Sequence, residues 1–264
     1  MNQPTSLTGR VHVILPAYNE ADSLPSLLER FAELNTAHPE LRLRVLVVND
    51  GSADATAEVA SRSYGNLEVT LHNHERNMGL GQAMLTGLQR TAASLEAGDA
   101  IVAMDADDTH DVNLIPIMAD RLAQGSDVAI ASRFVAGGCD RTAPPFRRLL
   151  SRGAAVVFRT IFPLESIGDF TSGYRMYRGS LVQNAVRHWG NRLIEEDGFA
   201  CMVELLLKLR YWGPVLSEVP MILRYDRKMS VSKLKLMRTL RQYVQLAIRN
   251  AVTPTPRELR YVSC

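Results

Sequence analysis

The feature that most constrains this chain is an alternation running from Val11 to Ser132: a short apolar run, a polar loop, then apolar residues at three- and four-residue spacing. Val11, Val13, Ile14 and Leu15 form the first run, Pro16 stops it, and Leu24, Leu27, Leu28, Phe31 and Leu34 mark one face of the helix that follows. The same reading predicts strands at 44–48, 67–71, 100–104 and 127–132, with helices at 55–62, 81–93 and 112–122. Strands that alternate with helices build an α/β domain, Rossmann-like, with a mostly parallel sheet and helices on both faces. Ligands of such sheets bind beyond the carboxyl ends of the strands, so the polar loops at 16–20, 49–54 and 105–108 converge on one rim.

Beyond Arg133 the alternation breaks. "GGCDRTAPPF" reads as a loop, 147–162 as a helix, and "GDFTSGYRMYRG" as a polar turn leading into a short extended piece. A strongly apolar helix is expected at 199–209 and a long one at 232–250, after which Pro254 and Pro256 end ordered structure. The expected organisation is one large domain, 1–225, followed by a basic amphipathic helix and tail, 226–264.

Charge is distributed unevenly. The net charge is only +2, yet the stretch 141–160 holds five arginines and no acid, and 224–249 holds eight Lys or Arg against Asp226 alone. An acidic body with two basic segments points to an anionic partner for those segments. They lack the aromatic interleaving of a single-strand platform, which argues against nucleic acid. Both are also apolar, through Leu149, Leu150, Val157 and Phe158 in the first and Tyr243, Val244, Ala247 and Ile248 in the second, so an anionic membrane surface is the expected partner. No stretch reaches the roughly 20 apolar residues that span a bilayer, and three widely spaced cysteines match no metal or redox pattern. The expected location is the cytoplasm, peripheral at the inner face of the membrane.

The densest chemical signal is "MDADDTHD" at 104–111, four carboxylates in eight residues directly after a buried apolar run. Side chains two apart in extended chain point the same way, so Asp105 and Asp107 can face one cation while Asp108 points elsewhere. Two carboxylates plus the oxygens of a diphosphate suit Mg2+ or Mn2+. The competing reading is that Asp108, Thr109 and Asp111 cap the next helix.

"LPAYNEADSL", "VVNDGSADAT", "NMGLG", "MDADD", "SRF" and "FTSGYRMYRG", in this order, resemble glycosyltransferase family 2 and its dolichol-phosphate mannose synthase-like branch, from about Val11 to Leu236. The resemblance implies a GT-A nucleotide-sugar fold. Pro16, Tyr18, Glu20, Asp50, Asp54 and Gly79 would surround the nucleotide of a GDP- or UDP-linked sugar, and Asp105 and Asp107 would hold the ion. Tyr18 offers a flat face for a base, Asp50 accepts hydrogen bonds, and Gly79 and Gly81 permit close backbone approach.

Arg133 in "SRF", Arg147 and Ser151 in "FRRLLSRG", and Arg227 and Lys233 in "YDRKMSVSKL" match the family's acceptor-phosphate pattern. Arginine suits that task because its planar fork pairs with phosphate oxygens. Departures from the family's pattern stand at Thr109, where a metal-contacting Gln is common, at Asn49 in the D-D-G-S motif, and at Ser230 in G-x-S-K-L.

The expected activity is inverting, metal-dependent transfer of a mannose- or glucose-like sugar to a polyprenyl phosphate, with Asp107 and Arg133 acting on the departing diphosphate. One alternative is transfer to a hydroxyl, which must lose a proton and so needs a base, for which Asp197 in "IEEDGF" is the candidate. A second alternative is a non-catalytic nucleotide-binding module.

Overall fold

The structure, a computed structural model, describes residues 7–140, 152–153, 156, 167–224 and 236–252. Seven strands form one sheet: β1 (Val11–Ala17), β2 (Arg44–Asn49), β3 (Glu68–Asn73), β4 (Ala100–Ala103), β5 (Val128–Ser132), β6 (Arg175–Arg178) and β7 (Leu216–Pro220). Their order is β3-β2-β1-β4-β6-β5-β7, parallel except for β6, which runs antiparallel to both β4 and β5. Pro16 does not end β1; it pairs opposite Val48 in the last turn of pleat, where a missing N–H costs little.

Seven α-helices cover the sheet among the described residues: α1 (Leu24–Ala37), α2 (Thr56–Ala60), α3 (Leu80–Ala92), α4 (Leu114–Ala123), α5 (Gly179–Trp189), α6 (Ala200–Leu209) and α7 (Leu236–Val252). Alternate strand residues feed two apolar clusters. Val13, Leu15, Ala100 and Val102 pack with α1, α2 and α4 on one face, while Ile14, Ile101 and Ala103 pack with α3, α5, α6 and α7 on the other. Both faces are covered, which is why the central strands are continuously apolar rather than alternating.

The expected α/β architecture is therefore observed, with three differences. The strand–helix alternation breaks after Arg133 because the next strand among the described residues, β6, runs antiparallel to its neighbours. Neither α5 nor β7 was expected; β7, "LSEVP", is a half-exposed edge strand with too little apolar pattern to announce itself. The expected helix at 147–162 lies almost wholly outside the described residues, as do Pro254 and Pro256. The C-terminal helix, the expected basic amphipathic helix, contributes Tyr243, Leu246 and Ala247 to the apolar cluster around α6.

At the end of the sheet opposite the rim, the buried Asp99 joins the starts of β1 and β4. It accepts the Arg10 N–H at 2.7 Å and the Glu96 N–H at 2.9 Å, and its Oδ2 lies 3.1 Å from His12 Nε2. Burial opposes its ionisation, but the Glu96 and Arg10 N–H groups and the His12 ring outweigh it and hold the carboxyl below the ordinary Asp range. A carboxyl held low stabilises the fold above its unfolded pKa, and that contribution fades as pH falls through the folded value. Asp99→Asn should cost about 1–3 kcal/mol at neutral pH. Urea melts from pH 7 to 2 should show the wild type losing stability below about pH 4 more steeply than the variant.

Candidate active site

The loops after β1 and β2 are sewn together before they meet any ligand. Asn19 adopts a left-handed φ of 51°, a conformation Asn tolerates well, which turns its side chain across the gap. Its Oδ1 accepts the Ala53 N–H at 2.9 Å, its own N–H donates to Ser52 Oγ at 2.9 Å, and Glu20 N–H donates to Thr56 Oγ1 at 2.9 Å. Asp54 completes the seam by accepting the Ala21 N–H at 3.1 Å and the Thr56 N–H at 3.0 Å. It is exposed and does not line the cavity, and its hydrogen bonds hold the two loops together.

Asp50 is buried and organises the third loop. Its Oδ1 accepts the Met78 N–H at 2.9 Å and its Oδ2 the Gly79 N–H at 2.8 Å. His74 Nδ1 lies 2.8 Å from the same carboxylate, and His74 Nε2 lies 3.0 Å from Thr86 Oγ1. A carboxylate only accepts, so Nδ1 of a neutral ring donates to Asp50 and Nε2 accepts from the threonine hydroxyl. This relay was not visible in the sequence, where His72 and His74 are an alternating pair without a partner.

Gly79 and Gly81 do allow close backbone approach, but to the protein itself. A Cβ at Gly81 would sit 1.8 Å from the Glu196 carbonyl oxygen, and one at Gly79, where φ is +94°, would sit 2.7 Å from that of Asp197. The Gly81 N–H donates to the Asp197 carbonyl at 3.2 Å. The glycines thus clamp the "NMGLG" loop onto the segment that carries Asp197.

The acidic loop divides its charges as expected. Asp105 and Asp107 line one cavity. Asp108, at a φ of 55°, turns away to Arg30, whose Nη1 is 2.5 Å from Oδ1, while Arg30 Nη2 lies 3.1 Å from Asp111. Arg30 is the neutralising group that the sequence did not reveal. Asp111 also accepts the Asn113 N–H at 3.1 Å just before α4, but no side-chain cap bonds the first turn of α4, so the capping reading is not observed. Thr109 is buried, and its hydroxyl donates to Asp107 Oδ1 at 2.6 Å. It fixes the rotamer of the carboxylate beside it.

The far wall comes from α6 and α7. Asp197 is held by Arg238 and by Gln242, whose Nε2 donates to Oδ1 at 3.0 Å. Behind it, the buried Glu204 accepts the Glu195 and Glu196 N–H groups, each at 2.8 Å, and pairs with Lys208 Nζ at 2.8 Å and Arg249 Nη2 at 3.1 Å. Burial first, and Glu204 second, push the Glu196 carboxyl above its ordinary value.

These elements enclose a cavity of about 550 Å³ lined by Pro16, Tyr18, Glu20, Asp50, Gly79, Asp105, Asp107 and Asp197 from the expected set, and by Arg238, Thr239 and Gln242 of α7. Arg133 does not line it. Its guanidinium is bidentate to the fully buried Asp169, at 2.7 Å from each oxygen, and donates to Thr171 Oγ1 at 2.8 Å. Burial opposes ionisation of Asp169, yet Arg133 holds its carboxyl below the ordinary range. Arg147, Ser151, Arg227 and Lys233 lie outside the described residues.

A Rossmann-like sheet with polar loops on its rim and a paired-carboxylate loop in one cavity is the architecture of the GT-A class of glycosyltransferases. The chain belongs to glycosyl transferase family 2, whose family model matches residues 12–185. It is 33% identical over 212 residues to a dolichol-phosphate mannosyltransferase of Pyrococcus furiosus, covering 80% of this chain and 55% of that relative, so it spans little more than half of that protein's length. It is 31% identical over 236 residues to a polyprenol monophosphomannose synthase of Mycolicibacterium smegmatis, covering 86% of this chain and 82% of the relative. In fold it resembles a glucosyl-3-phosphoglycerate synthase from Mycobacterium tuberculosis solved with Mn2+ and UDP-glucose, with a TM-score of 0.63 at 19% identity, over 94% of this chain and 81% of that one.

The clamp between the glycine loop and the Asp197 segment is testable without any substrate. Gly81→Ala forces a methyl group into a backbone carbonyl, and overpacking of this kind costs about 1–3 kcal/mol. Thermal unfolding should show a lowered midpoint, whereas Gly125→Ala, where a Cβ meets nothing within 4 Å, should lose only the cost of its own positive φ.

Proposed function

We propose that the protein transfers a mannose- or glucose-like sugar from a GDP- or UDP-linked donor to a polyprenyl phosphate, inverting the anomeric centre. The observation that carries this reading is the placement of Asp105 and Asp107 on the same cavity as Tyr18 and Asp50, so that base, ribose and diphosphate can be bound side by side. The named relatives support the lipid phosphate as acceptor.

The donor set fits a divalent cation. Asp105 and Asp107 are two carboxylates on one cavity, which leaves coordination positions for substrate oxygens, as Mg2+ and Mn2+ prefer. Asp105 and Asp107 would hold it, with Thr109 fixing Asp107. Bound there, the ion would neutralise charge on the departing diphosphate. The Mn2+ in the structural relative supports this.

The chain's own residues do the rest. Tyr18 and Asp50 orient the base, and the seam through Asn19, Ser52 and Thr56 keeps their loops rigid, so binding energy is not spent on ordering them. A phosphate acceptor is already anionic and needs no base. That agrees with Asp197, whose carboxylate is engaged by Arg238 and Gln242 rather than presented for proton transfer. Arg133, committed to Asp169, orders the turn before β6, which leaves Arg147, Ser151, Arg227 and Lys233 as the acceptor-phosphate set by sequence pattern.

The outward face of α7 shows Arg241, Val244 and Ile248 to solvent, while Arg238 and Arg249 turn inward to acids. No helix among the described residues is long and apolar enough to cross a membrane. An exposed cationic and apolar face suits peripheral contact with anionic lipid.

Transfer should require nucleotide sugar, divalent metal and polyprenyl phosphate together. Asp107→Asn should abolish it, Arg227→Ala should reduce it by about 10²-fold or more, and Asp197→Asn should leave most of it. An inactive Asp197→Asn beside an active Arg227→Ala, both binding donor normally, would establish the hydroxyl-acceptor mechanism instead. Sedimentation with anionic vesicles should show binding at low salt that fades as ionic strength passes about 0.15 M and is weakened by Ile248→Asp; protein that ignores the vesicles at low salt refutes the peripheral contact.

A further inference from the structure

Among the described residues that line the cavity, five side chains are carboxylates, Glu20, Asp50, Asp105, Asp107 and Asp197, and one is a cation, Arg238. A diphosphate brings two more negative charges to that wall. A divalent cation balances Asp105 and Asp107, and among the described lining residues Arg238 alone offers the diphosphate a positive charge. Arg238 sits in the first turn of α7, and its side chain is 53% exposed, so its guanidinium has room to turn.

We propose that Arg238 is a binding residue for the donor's diphosphate, and that Asp197 is the internal anion with which the diphosphate exchanges. The proposal rests on the reading of this cavity as the nucleotide-sugar site. Two features make the exchange cheap. Asp197 keeps a donor after Arg238 turns away, because Gln242 Nε2 bonds its other oxygen at 3.0 Å. The helix keeps its position, because Arg249 anchors α7 to the buried Glu204 at 3.1 Å, and Tyr243, Leu246 and Ala247 are packed in the apolar cluster. Arginine is the suitable residue, since its fork can accept either a carboxylate or a phosphate edge without a change of charge state. Asp197 then sets how firmly the donor is held.

Calorimetric titration of GDP and of UDP, in Mn2+, tests this without reliance on turnover. Arg238→Ala and Arg238→Gln should each weaken the better-bound nucleoside diphosphate by about 10- to 100-fold, the range of a lost charge-assisted hydrogen bond. The corresponding nucleoside without phosphates should bind both variants as it binds wild type. Asp197→Asn should tighten the nucleoside diphosphate several-fold, and by less when Arg238 is already alanine. Arg187→Ala, which removes an exposed positive charge from α5 away from the cavity, should stay within about threefold of wild type if the charge of Arg238 at this position is what matters.

Wild-type affinity in both Arg238 variants would overturn the proposal, as would an Arg187→Ala protein that reproduces their loss. So would Arg238 variants that bind nucleoside diphosphate normally but need more polyprenyl phosphate for transfer, which would assign Arg238 to the acceptor. If wild type binds neither GDP nor UDP, the reading of the cavity itself fails. Wild-type binding with unaffected Arg238 variants removes only this inference.

Discussion

One buried carboxylate holds the site together. Glu204 is 1% exposed, and burying an unpaired charge there would cost several kcal/mol. It is compensated by two backbone N–H groups from Glu195 and Glu196 and by Lys208 and Arg249. Through the first pair it fixes the segment whose carbonyls clamp Gly79 and Gly81. Through Arg249 it fixes α7. Three walls of the cavity therefore depend on a residue that does not touch the cavity, and removing one partner of such a set costs far more than the set contributes.

How much of this the sequence disclosed follows from the range of the interactions involved. Apolar periodicity is local, so β1 to β5 and α1 to α4 were legible to within a few residues. The rim loops were legible because turn residues and carboxylates stand next to one another in the chain. Arg30 with Asp108, Asp50 with His74 and Arg133 with Asp169 are pairs between 24 and 78 residues apart, and no spacing rule connects them. The glycines show the limit most clearly. Gly79 and Gly81 announced close approach, but not that the approaching atoms belong to residues 196 and 197. The inward turn of Arg238 and Arg249 was equally hidden, because a helix pattern says which face is cationic and not which face meets acids.

Charge in this molecule is spent in pairs. The basic C-terminal helix looked like a surface for phosphates or lipid, and its net charge in sequence is high. Two of its arginines are already matched by Asp197, Glu196 and Glu204, so the charge available to a partner is smaller than a count of residues implies. The same holds for Arg133. A basic residue already paired within the fold reaches phosphate only by exchanging that carboxylate for it.

The antiparallel strand β6 has a consequence for how the chain is made. It lies between β4 and β5, so neither of those strands can complete its hydrogen bonds until residues 175–178 have left the ribosome. Until then β4, all four of whose residues are buried in the finished protein, is an open sheet edge, and β5 has no place in the sheet at all. Unpaired apolar edges recruit other chains. The nascent protein is thus most exposed to self-association over the interval in which some seventy residues beyond β4 are synthesised.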